Sequence, residues 1–597
     1  MESIHHIVRS AETNYRTGST KLGEYVDFSL YDTIERIIAY LNSKHTSGDK
    51  DSLGRDKPFF NIVTAAVNIW YRATDIDRKD IIIRADKGAN IISAFLATVI
   101  LQQWMNRERF GTFLNEWGRT LSAFGSAVSK FIVKDGELIP TVVPWSRMIV
   151  DPIDFDALPR IEKFYKTPSQ LRKMKQLNQD TIDKLIASRS SRKTIQGTRK
   201  DNQDEFIELY EVHGELPLAF LKSVDDRKEK DWTTYRQQMH IISFVEKGRG
   251  EYDDFTLYSG KEKEDPYIKT DLIPEEGRTL AIGAVEYLFD AQWMQNHTIK
   301  NMKDTLDLSS KLIFQTADPR FTNKNVLSVM ETGDILLHNP NQPLTELNNS
   351  KVDIAALQNF SNQWKVLSQE LTSTPDSQRG INPPSGTPLG TTQILNQNSN
   401  SLFEIMTEHK GLGIEEMLRR FIIPFIKTKL DTKDEVVAVL DDHDIKKIDA
   451  MYIPKEAVRR YNLSAKEQIL SGQIPSVFNQ QESEQQITKE LSLLGNIRPL
   501  FPKDITWKKV FENFEWEAEV GITNEPMDKQ TMLTTLTSVL QSIASNPAIL
   551  QDPNAKLVFN KILSFAGGVS PVELSLNQQP ATNPPTNPQG RSVVGVQ

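Results

Sequence analysis

The sequence predicts an α+β protein, because helical and strand patterns occupy separate stretches of the chain. Apolar residues recur at helical spacing in several segments, as between Ile34 and Leu41. Residues 131–143 instead contain two strand-like runs around the turn pair Asp135-Gly136, which predicts a β-hairpin. Three further strand-like segments, separated by charged tips, predict a mostly antiparallel sheet: 206–212, 216–221 and 240–245.

The length and composition indicate a soluble, folded protein with room for two to four domains. The chain has 597 residues, of which 38% are hydrophobic and 25% are charged. Its formal net charge of −8 argues against a protein that binds nucleic acid over its whole surface, although the charge is compatible with transient contact with DNA. The absence of cysteine excludes disulfides, thiol catalysis and Cys-based zinc sites, and it fits assembly in a reducing cytoplasm.

The N-terminal segments are predicted to be helical over residues 1–45 and 59–131, apart from a short strand-like run at 81–83. The longest apolar run spans residues 91–101. It is too short for the roughly 20 residues that a membrane span requires, so it predicts a buried core helix. The aromatic residues that follow it are expected to extend the same helical core: Trp104, Phe110, Phe113 and Trp117.

Two long helices that bracket a compact insertion are predicted in the middle of the chain. Apolar stripes at helical spacing mark the helices over residues 277–308 and 351–373. The insertion between them has about 40 residues and contains strand candidates at 311–316 and 335–338. A small α/β element is therefore expected at the far end of a helical pair.

A nearly uncharged segment follows the second helix. Residues 374–400 are rich in Gly, Pro, Ser, Thr, Asn and Gln, and their only charges are Asp376 and Arg379. Their first part is a loop by composition. A helix resumes near Thr391 and reaches about Leu430, with kinks expected at Gly411, Gly413 and Pro424.

The C-terminal part is predicted to be largely helical. A strand is expected at 436–440 and a turn at 441–444. A further amphipathic helix begins at Pro526 and ends before Pro547. The tail over 571–597 has low complexity and no apolar pattern, which predicts disorder.

No enzyme constellation is present, so the sequence predicts no catalytic residue, no metal site and no cofactor. It lacks the GxxxxGK[ST] phosphate loop, the HExxH helix and the GxSxG elbow. His5-His6 is interpreted as a solvated pair, and Asp441 to Asp444 as a solvated turn rather than a metal site. Gly386 and Gly390 could cradle a phosphate, but no lysine follows them to complete such a site.

A modest basic cluster lies in a segment that is predicted to be a loop, residues 188–204. It lacks interleaved aromatic residues, so a solvated or partner-facing loop is favoured over direct binding of nucleic acid. The cluster comprises Arg189, Arg192, Lys193, Arg199 and Lys200.

Four stretches, taken in order, resemble bacteriophage portal proteins, the head-to-tail connectors of phage. The first is KDGELIPTVVPWSRMIVDPIDFDALPRIEKFYKTPSQLRKM (134–174), a hairpin, an Asp-Pro corner, a strand and a helix capped by Thr167 before Pro168. The second is FIELYEVHGELP (206–217), and the last is WEAEVGITNEPMDKQTML (516–533). Between them comes the succession of helix, insertion, helix, uncharged loop and long helix. The succession, which spans roughly residues 60–560, is more specific than any single motif.

The resemblance implies a portal-type subunit with an α+β wing, a helical stem, a small α/β clip and a mainly helical crown. The implied ranges are 1–58 for an N-terminal extension, 59–276 for the wing, 277–308 and 351–373 for the stem helices, 309–350 for the clip, 374–390 for the tunnel loop, 391–452 for the kinked tunnel helix and wing return, 453–570 for the crown and 571–597 for the tail.

The resemblance also implies a non-enzymatic function. Portal subunits form a ring, expected here to be a dodecamer, through which double-stranded DNA enters and leaves the capsid at one vertex. Such a ring implies a virion location after assembly in the host cytoplasm. The implied partners are further copies of the chain, the terminase large subunit, the major capsid and scaffolding proteins, and head-completion or tail adaptor proteins, with no membrane.

The uncharged segment suits the lining of a DNA channel, because hydroxyls and amides offer weak, sequence-blind contacts, whereas a lysine-rich lining would bind phosphates tightly. We expect eight residues at or near the narrowest point, with Arg379 touching phosphate transiently: Ser377, Gln378, Arg379, Asn382, Ser385, Thr387, Thr391 and Thr392.

The two long helices carry charges of both signs, which suits pairing between neighbouring subunits in a ring as well as an ordinary exposed face. The first holds Arg278, Lys300 and Lys303 against Glu286, Asp290, Asp304 and Asp307, and the second holds Lys351 and Lys365 against Asp353 and Glu370.

Three other functions stay open at this point. One is a different virion component, such as a head–tail adaptor or a minor capsid protein, which the length and the helix–insertion–helix order disfavour. Another is an enzyme that acts on nucleic acid, which lacks every motif tested above. The third is a cellular scaffold with protein partners.

Overall fold

The computed structural model contains both helices and sheets, which confirms the α+β class. The described residues are 3–52, 54–78, 81–84, 91–196, 206–222, 226–248, 250–309, 314–321, 337, 339–343, 345–346, 353–374, 389–430, 437–439, 442–471, 478–493, 497–499 and 517–520. The chain divides into two compact units. Unit 1 comprises Met1–Asp75 and Phe110–Gly413, and unit 2 comprises Ile76–Arg109 and Ile414–Gln597.

Helices in chain order are α1 (Ile4–Thr17), α2 (Leu30–Leu41), α3 (Val63–Ala73), α4 (Ile91–Arg107), α5 (Phe110–Phe124), α6 (Pro168–Lys173), α7 (Gln179–Gln196), α8 (Glu229–Thr233), α9 (Ala284–Tyr287), α10 (Phe289–Ser309), α11 (Ile354–Leu371), α12 (Leu389–Met417), α13 (Ile423–Leu430), α14 (Asp442–Leu470) and α15 (Gln480–Ser492).

Strands in chain order are β1 (Thr20–Leu22), β2 (Val26–Phe28), β3 (Ile81–Arg84), β4 (Ser126–Lys134), β5 (Glu137–Val143), β6 (Met148–Ile149), β7 (Arg160–Lys166), β8 (Ile207–Pro217), β9 (Tyr235–Gly248), β10 (Glu251–Lys261), β11 (Tyr267–Asp271), β12 (Phe314–Gln315), β13 (Thr345–Glu346), β14 (Val437–Val439), β15 (Ile497–Pro499) and β16 (Glu517–Val520).

The predicted antiparallel sheet of unit 1 is confirmed and has five strands, in the order β10-β9-β8-β7-β6. A second sheet has three strands in the order β11-β4-β5. Its β4–β5 hairpin is the one predicted from sequence, with Asp135 and Gly136 both at positive φ (53° and 83°), as its two-residue turn requires.

Helices cover both faces of the five-stranded sheet. On one face, Leu171 of α6 and Ile182 and Leu185 of α7 pack among apolar residues of β8, β9 and β10. On the other face, Ile4 and Val8 of α1 pack into a second cluster of buried apolar residues: Ile149, Ile161, Tyr210, Val212, Leu216 and Ile242. Because side chains alternate along a strand, the sheet is apolar on both sides and needs a cover on each.

The helical part of unit 1 packs α3, α5 and α9 together and places α5 against β4 and β5. Its buried core includes Trp70, Trp117 and Phe110. Gly125 joins α5 to β4 at φ +80°, and a Cβ there would lie 2.6 Å from the backbone of Ile282. The close backbone approach explains why glycine occupies the junction.

Unit 2 brings together segments that are far apart in sequence. Strand β3 pairs antiparallel with β16, so that Ile83 lies opposite Ala518. Helix α4 packs on β3, and its Thr98 hydroxyl accepts a hydrogen bond from the Ile83 amide (3.0 Å). Strands β14 and β15 pair, and α14 packs against α15 through Ala457, Ile487 and Leu491. Leu96 and Leu101 are buried, which confirms the predicted core helix over 91–101.

The predicted helix over 277–308 begins later than the apolar stripe suggested. Residues 279–283 are not helical, because their backbone bonds elsewhere: Thr279 donates to the Pro152 carbonyl (2.9 Å) and Ala281 donates to the Ser126 hydroxyl (2.8 Å). A Cβ at Gly283 would lie 2.4 Å from the Ala123 carbonyl oxygen. The helical stripe therefore divides between α9 and α10.

Several local predictions were wrong. Residues 188–196 continue α7 instead of forming a loop, and residues 442–444 open α14 instead of a turn. The 216–221 segment leaves the strand at Pro217 and continues as a 3₁₀ turn. His5 is buried rather than solvated, because α1 packs on the sheet.

Other predictions are confirmed. Thr167 caps α6 through its side chain, with Pro168 at the first helical position. A strand occupies 437–439. The predicted helix at Pro526 and the tail over 571–597 lie outside the described residues.

Candidate functional site: the α10–α11 arm and helix α12

Most of the residues expected to line a channel lie outside the described residues. These are Ser377, Gln378, Arg379, Asn382, Ser385 and Thr387. Thr391 and Thr392 belong to the first turn of α12, for which only the backbone is described. This segment is flanked by α10 and α11, together called the arm, and by α12.

The base of α10 is fixed by buried amides. The Gln292 side chain accepts from the Ile62 amide (2.9 Å) and donates to the Phe60 carbonyl (2.7 Å). The Asn296 carbonyl oxygen accepts from the Phe60 amide (3.0 Å). Both amides are buried, so these bonds hold α10 rigidly against the start of α3.

The second helix of the arm is fixed at its C-terminal end. The indole of Trp70 donates to the Thr372 carbonyl (2.9 Å), and Thr372 is itself buried. Between the two helices, Gln295 of α10 donates to the Ser361 hydroxyl of α11 (2.6 Å). Arg55 forms an ion pair with Asp304 farther along α10. The end of the arm near α3 is therefore built into unit 1.

The arm leaves a row of large apolar side chains exposed. Phe360, Leu367 and Leu371 are 40%, 47% and 55% exposed. They are spaced by seven and four residues, which places them on one face of α11. On α10, Trp293 is 53% exposed and stacks on His297 with ring centroids 5.4 Å apart. We call Phe360, Leu367 and Leu371 the α11 stripe.

Some of the charges that were expected to pair between subunits make contacts within the chain. Arg278 and Glu286 form a two-pronged salt bridge (2.9 and 2.8 Å), and neither residue is in α10. Asp353 accepts from the Ala355 amide (2.9 Å) and caps α11. Within the described residues, five arm charges have no ion-pair partner: Asp290, Lys300, Lys303, Lys365 and Glu370.

The insertion between the arm helices contains a short two-stranded sheet. Phe314–Gln315 lies within the first predicted strand and pairs with Thr345–Glu346, which was not predicted. Residues 335, 336 and 338 of the second candidate strand lie outside the described residues. Asp318, whose side chain is fully buried, accepts from Arg320 (2.7 Å) and from the Asn339 amide (3.0 Å), and this fixes a turn.

Helix α12 is anchored in unit 1 by a buried lysine. Lys410 is 2% exposed, and its ammonium donates to the Thr74 carbonyl at the end of α3. Burial lowers the pKa of Lys410 to about 8, although the charge of Asp75 acts in the opposite direction. A Cβ at Gly118 would lie 3.3 Å from the Lys410 nitrogen, so glycine makes room for the ammonium.

Two further contacts fix the same part of α12. The His409 ring donates to the Leu272 carbonyl. A Cβ at Gly413 would lie 2.4 Å from the Thr270 side chain, so Gly413 permits close packing. The helix continues through this glycine, and regular α-helix gives way at a π-helical segment, Leu418–Ile422, just before Pro424. Proline lacks the amide proton that an α-helix needs there.

A buried charge network joins the two sheets. The Lys130 ammonium of β4 contacts the carboxylates of Glu162 (2.6 Å) and Glu211 (2.7 Å). His213 places one ring nitrogen 2.8 Å from Glu211 and the other 2.8 Å from Glu262.

The two ring bonds require an imidazolium, since both nitrogens face carboxylates. Burial disfavours the charged ring, but the bonds to the two carboxylates outweigh it and raise the pKa of His213 to about 9. Burial likewise opposes ionisation of Glu211, but His213 and Lys130 lower its pKa to about 2. The charges satisfy one another, which indicates a structural joint.

An open cleft of about 500 Å³ lies beside α1 on the same sheet. Its cations are matched by acids: Lys163 pairs with Glu12 (2.9 Å), as does Arg16 (3.0 Å), and Tyr210 donates to Glu12 (2.6 Å). Mixed, paired charges of this kind favour no particular ligand charge.

Sequence analysis missed the anchoring and joining residues, although some left a signal. Lys410 follows Phe403 by seven residues and Met406 by four, so it occupies a position of the buried stripe of α12. A lysine at such a position is rarely buried without a partner, and here the partner is a helix carbonyl. The partners of Lys130 lie in other strands, so the sequence around Lys130 contains no comparable signal.

Within the described residues, no three His, Cys, Asp or Glu side chains are grouped so that they could hold a metal ion. Likewise, none of the described helices combines the length and apolar character that crossing a membrane requires. A scan against protein-family models gives no match. A search of curated proteins gives none either.

Proposed function

We propose that this chain is a bacteriophage portal subunit: a non-enzymatic component of a ring at one capsid vertex, through which double-stranded DNA is packaged and ejected. The observation that carries the proposal is the arm. Two long helices are fixed at one end to a compact unit, bracket a small insertion and expose an apolar stripe.

The α11 stripe supports assembly with further copies. A contiguous row of exposed large apolar side chains on a soluble protein marks an interaction surface, since its exposure to water is costly. A closed ring uses head-to-tail interfaces, in which each subunit presents two different surfaces. The α11 stripe of one subunit would pack against the Trp293 side of α10 in the next, and the arm charges would pair across the same interface.

The segment after the arm supports a DNA channel. In such a ring, residues 374–390 begin where α11 ends and would face the axis from every subunit. Their composition gives DNA weak, sequence-independent contacts. Helix α12, anchored by Lys410, would hold the segment in place. The eight predicted channel residues remain part of this proposal.

The partners follow from the geometry of a ring at a capsid vertex. The insertion at the far end of the arm would offer the docking surface for the terminase large subunit and later for head-completion or tail adaptor proteins. Capsid and scaffolding proteins would contact the ring during assembly in the host cytoplasm. Twelve copies are expected by resemblance.

Imaging of the purified protein tests the ring. The wild-type chain is expected to form annular particles in negative-stain electron microscopy, and Leu367→Asp is expected to reduce them at least about tenfold, because it places a charge in an apolar interface. Asn362→Asp on another exposed face of α11 is the matched control and should leave the rings intact. A wild-type protein that stays monomeric at every salt and protein concentration contradicts the proposal.

Packaging assays test the channel. Arg379→Ala combined with shortening of residues 380–388 is expected to impair DNA packaging or retention while rings remain. Lys184→Ala, on an exposed position of α7 outside both the arm and the predicted channel segment, is the control. Normal packaging by the shortened variant would contradict the channel placement without affecting the ring.

A further inference from the structure

We propose that His5 and His240 form an acid-sensitive clasp, which holds α1 on the five-stranded sheet near neutral pH and releases it when the solution is acidified. The clasp is defined by these two residues. It lies within unit 1, and it does not depend on the proposed portal function.

Helix α1 is held to the sheet by contacts that a local change could release. Ile4 and Val8 fill the apolar cluster on this face. Beside them, Arg9 forms an ion pair with Asp254 of β10, and Glu12 pairs with Lys163 of β7 (2.9 Å). These contacts lie along one face of a 14-residue helix, a local unit of the kind that can open separately from the rest of a fold.

His240 of β9 is buried in its neutral form. Its Nε2 atom lies 2.9 Å from Oε1 of Gln238, and the Gln238 amide nitrogen is occupied by the Leu216 carbonyl (2.6 Å). Gln238 therefore presents its oxygen, and the ring must carry its proton on Nε2. The other ring nitrogen, Nδ1, is buried and has no hydrogen-bond partner in the described part of the chain.

Protonation of Nδ1 would create a buried N–H without an acceptor and a buried charge. Both are costly in a site that excludes water. The cost agrees with a pKa for His240 of about 4, which is lowered by burial first and then by the nearby His5 and His213. His213 is the charged member of the adjacent network. It lies on the opposite face of the sheet, because His240 pairs with Val212 in the strand register, and its positive charge disfavours a second one nearby.

His5 lies in the first turn of α1, on the side that faces the sheet. Its Nε2 atom is 3.5 Å from the Thr256 hydroxyl, and its Nδ1 atom is 3.9 Å from Asp254. Burial lowers the pKa of His5, and Arg9 acts in the same direction, while Asp254 and a bond to the Phe255 backbone act against it. The charged groups around the clasp are thus Arg9 and Asp254 beside His5, and His213 across the sheet from His240.

The sign of the pH effect follows from these lowered pKa values. A histidine that is neutral when docked contributes its full stabilisation above pH 6.5 and loses it as the pH falls towards its docked pKa. From His240 alone, the docking equilibrium of α1 is expected to weaken on the order of 30-fold between pH 7.5 and pH 5. His6 is exposed and is not part of the clasp.

Distance measurements between spin labels test the clasp. Because the chain has no cysteine, Asn14→Cys on α1 and Lys184→Cys on α7 provide unique attachment sites. Pulsed electron spin resonance is expected to give one short distance at pH 7.5 and a broad, longer distribution at pH 5. Circular dichroism at both pH values reports whether the remainder of the chain stays folded.

Two variants separate the clasp from general acid unfolding. His240→Gln keeps a donor to Gln238 and removes the titration, so it should stay docked at pH 5, whereas the matched control His6→Gln should release as the wild type does. If His240→Gln fails to fold, His5→Gln is used and should shift release to lower pH. An unchanged distance at pH 5, release of the glutamine variant at the wild-type pH, or release only when the whole chain unfolds would each overturn the proposal.

Discussion

The five-stranded sheet and the arm differ in how completely a single chain satisfies their side chains. In the sheet, apolar residues on both faces are covered by helices, and Lys130 is 5% exposed between two glutamates. In the arm, the α11 stripe is 40–55% exposed, although the end of the arm near α3 is rigidly bonded to the same unit.

The contrast separates structure that one chain completes from structure that calls for a partner. Buried charges that pair and apolar faces that are covered need no further contact. An exposed apolar stripe on a fixed helix retains the cost of its hydration until another surface covers it. Changes in the sheet should therefore alter the stability of the isolated chain, whereas changes in the stripe should alter assembly.

The largest expected effect is in the sheet. Lys130→Met should lower the free energy of unfolding by about 3–5 kcal/mol, because it leaves the Glu162 and Glu211 carboxylates buried without their cation. Chemical denaturation at pH 7.5 measures it. The control is Lys247→Met, which removes an exposed ion pair with Asp253 and should lower the free energy of unfolding far less, because water screens that pair. If both variants lost the same free energy of unfolding, Lys130 would not have the proposed structural role between the two sheets.

An intermediate effect is expected from His213 as the pH rises. Its pKa is raised from 6.5 to about 9, so its stabilisation is complete below pH 6.5 and is lost between pH 6.5 and 9, on the order of 3 kcal/mol. Denaturation curves across this range measure the loss. His213→Gln should remove that pH dependence, and His297→Gln on the arm should leave it in place. A wild-type stability that stays level up to pH 9 would show that the ring is not charged.

The smallest expected effect on the isolated chain is in the arm. Leu367→Asp, which is expected to disrupt rings, should change the free energy of unfolding of the monomer by no more than about 0.5 kcal/mol, because Leu367 is already half exposed. Denaturation at a concentration below that of ring formation measures it. A loss above about 2 kcal/mol would mean that Leu367 supports the fold of the monomer, and the contrast between the two regions would then fail.

Local patterns predicted some individual elements well. Asp135-Gly136 specified the β4–β5 turn, and Thr167-Pro168 specified the start of α6, because each depends on neighbouring backbone geometry alone. The start of α10 was placed too early, because the backbone of residues 279–283 bonds to distant residues. A helical stripe does not reveal such competition from elsewhere in the chain.

The candidate site was only partly predictable. The helix–insertion–helix order that defines the arm follows from periodicity, and the structure contains it. The pairing of Arg278 with Glu286 and the burial of Lys410 at the C-terminal end of α3 could not be foreseen. Both depend on which groups meet after folding. The predicted channel residues 377–387 stay a prediction from composition.

By itself, the sequence determined the α+β class, the β4–β5 hairpin, the helix–insertion–helix order of the arm and the uncharged character of the segment before α12, since periodicity, turn chemistry and composition act over a few residues. Only the tertiary structure decided that β3 pairs with β16, that α1 covers the sheet over His240 and that Lys130 joins two sheets. These contacts join residues that are distant in sequence, and no local pattern specifies which distant surface will exclude water from a given side chain.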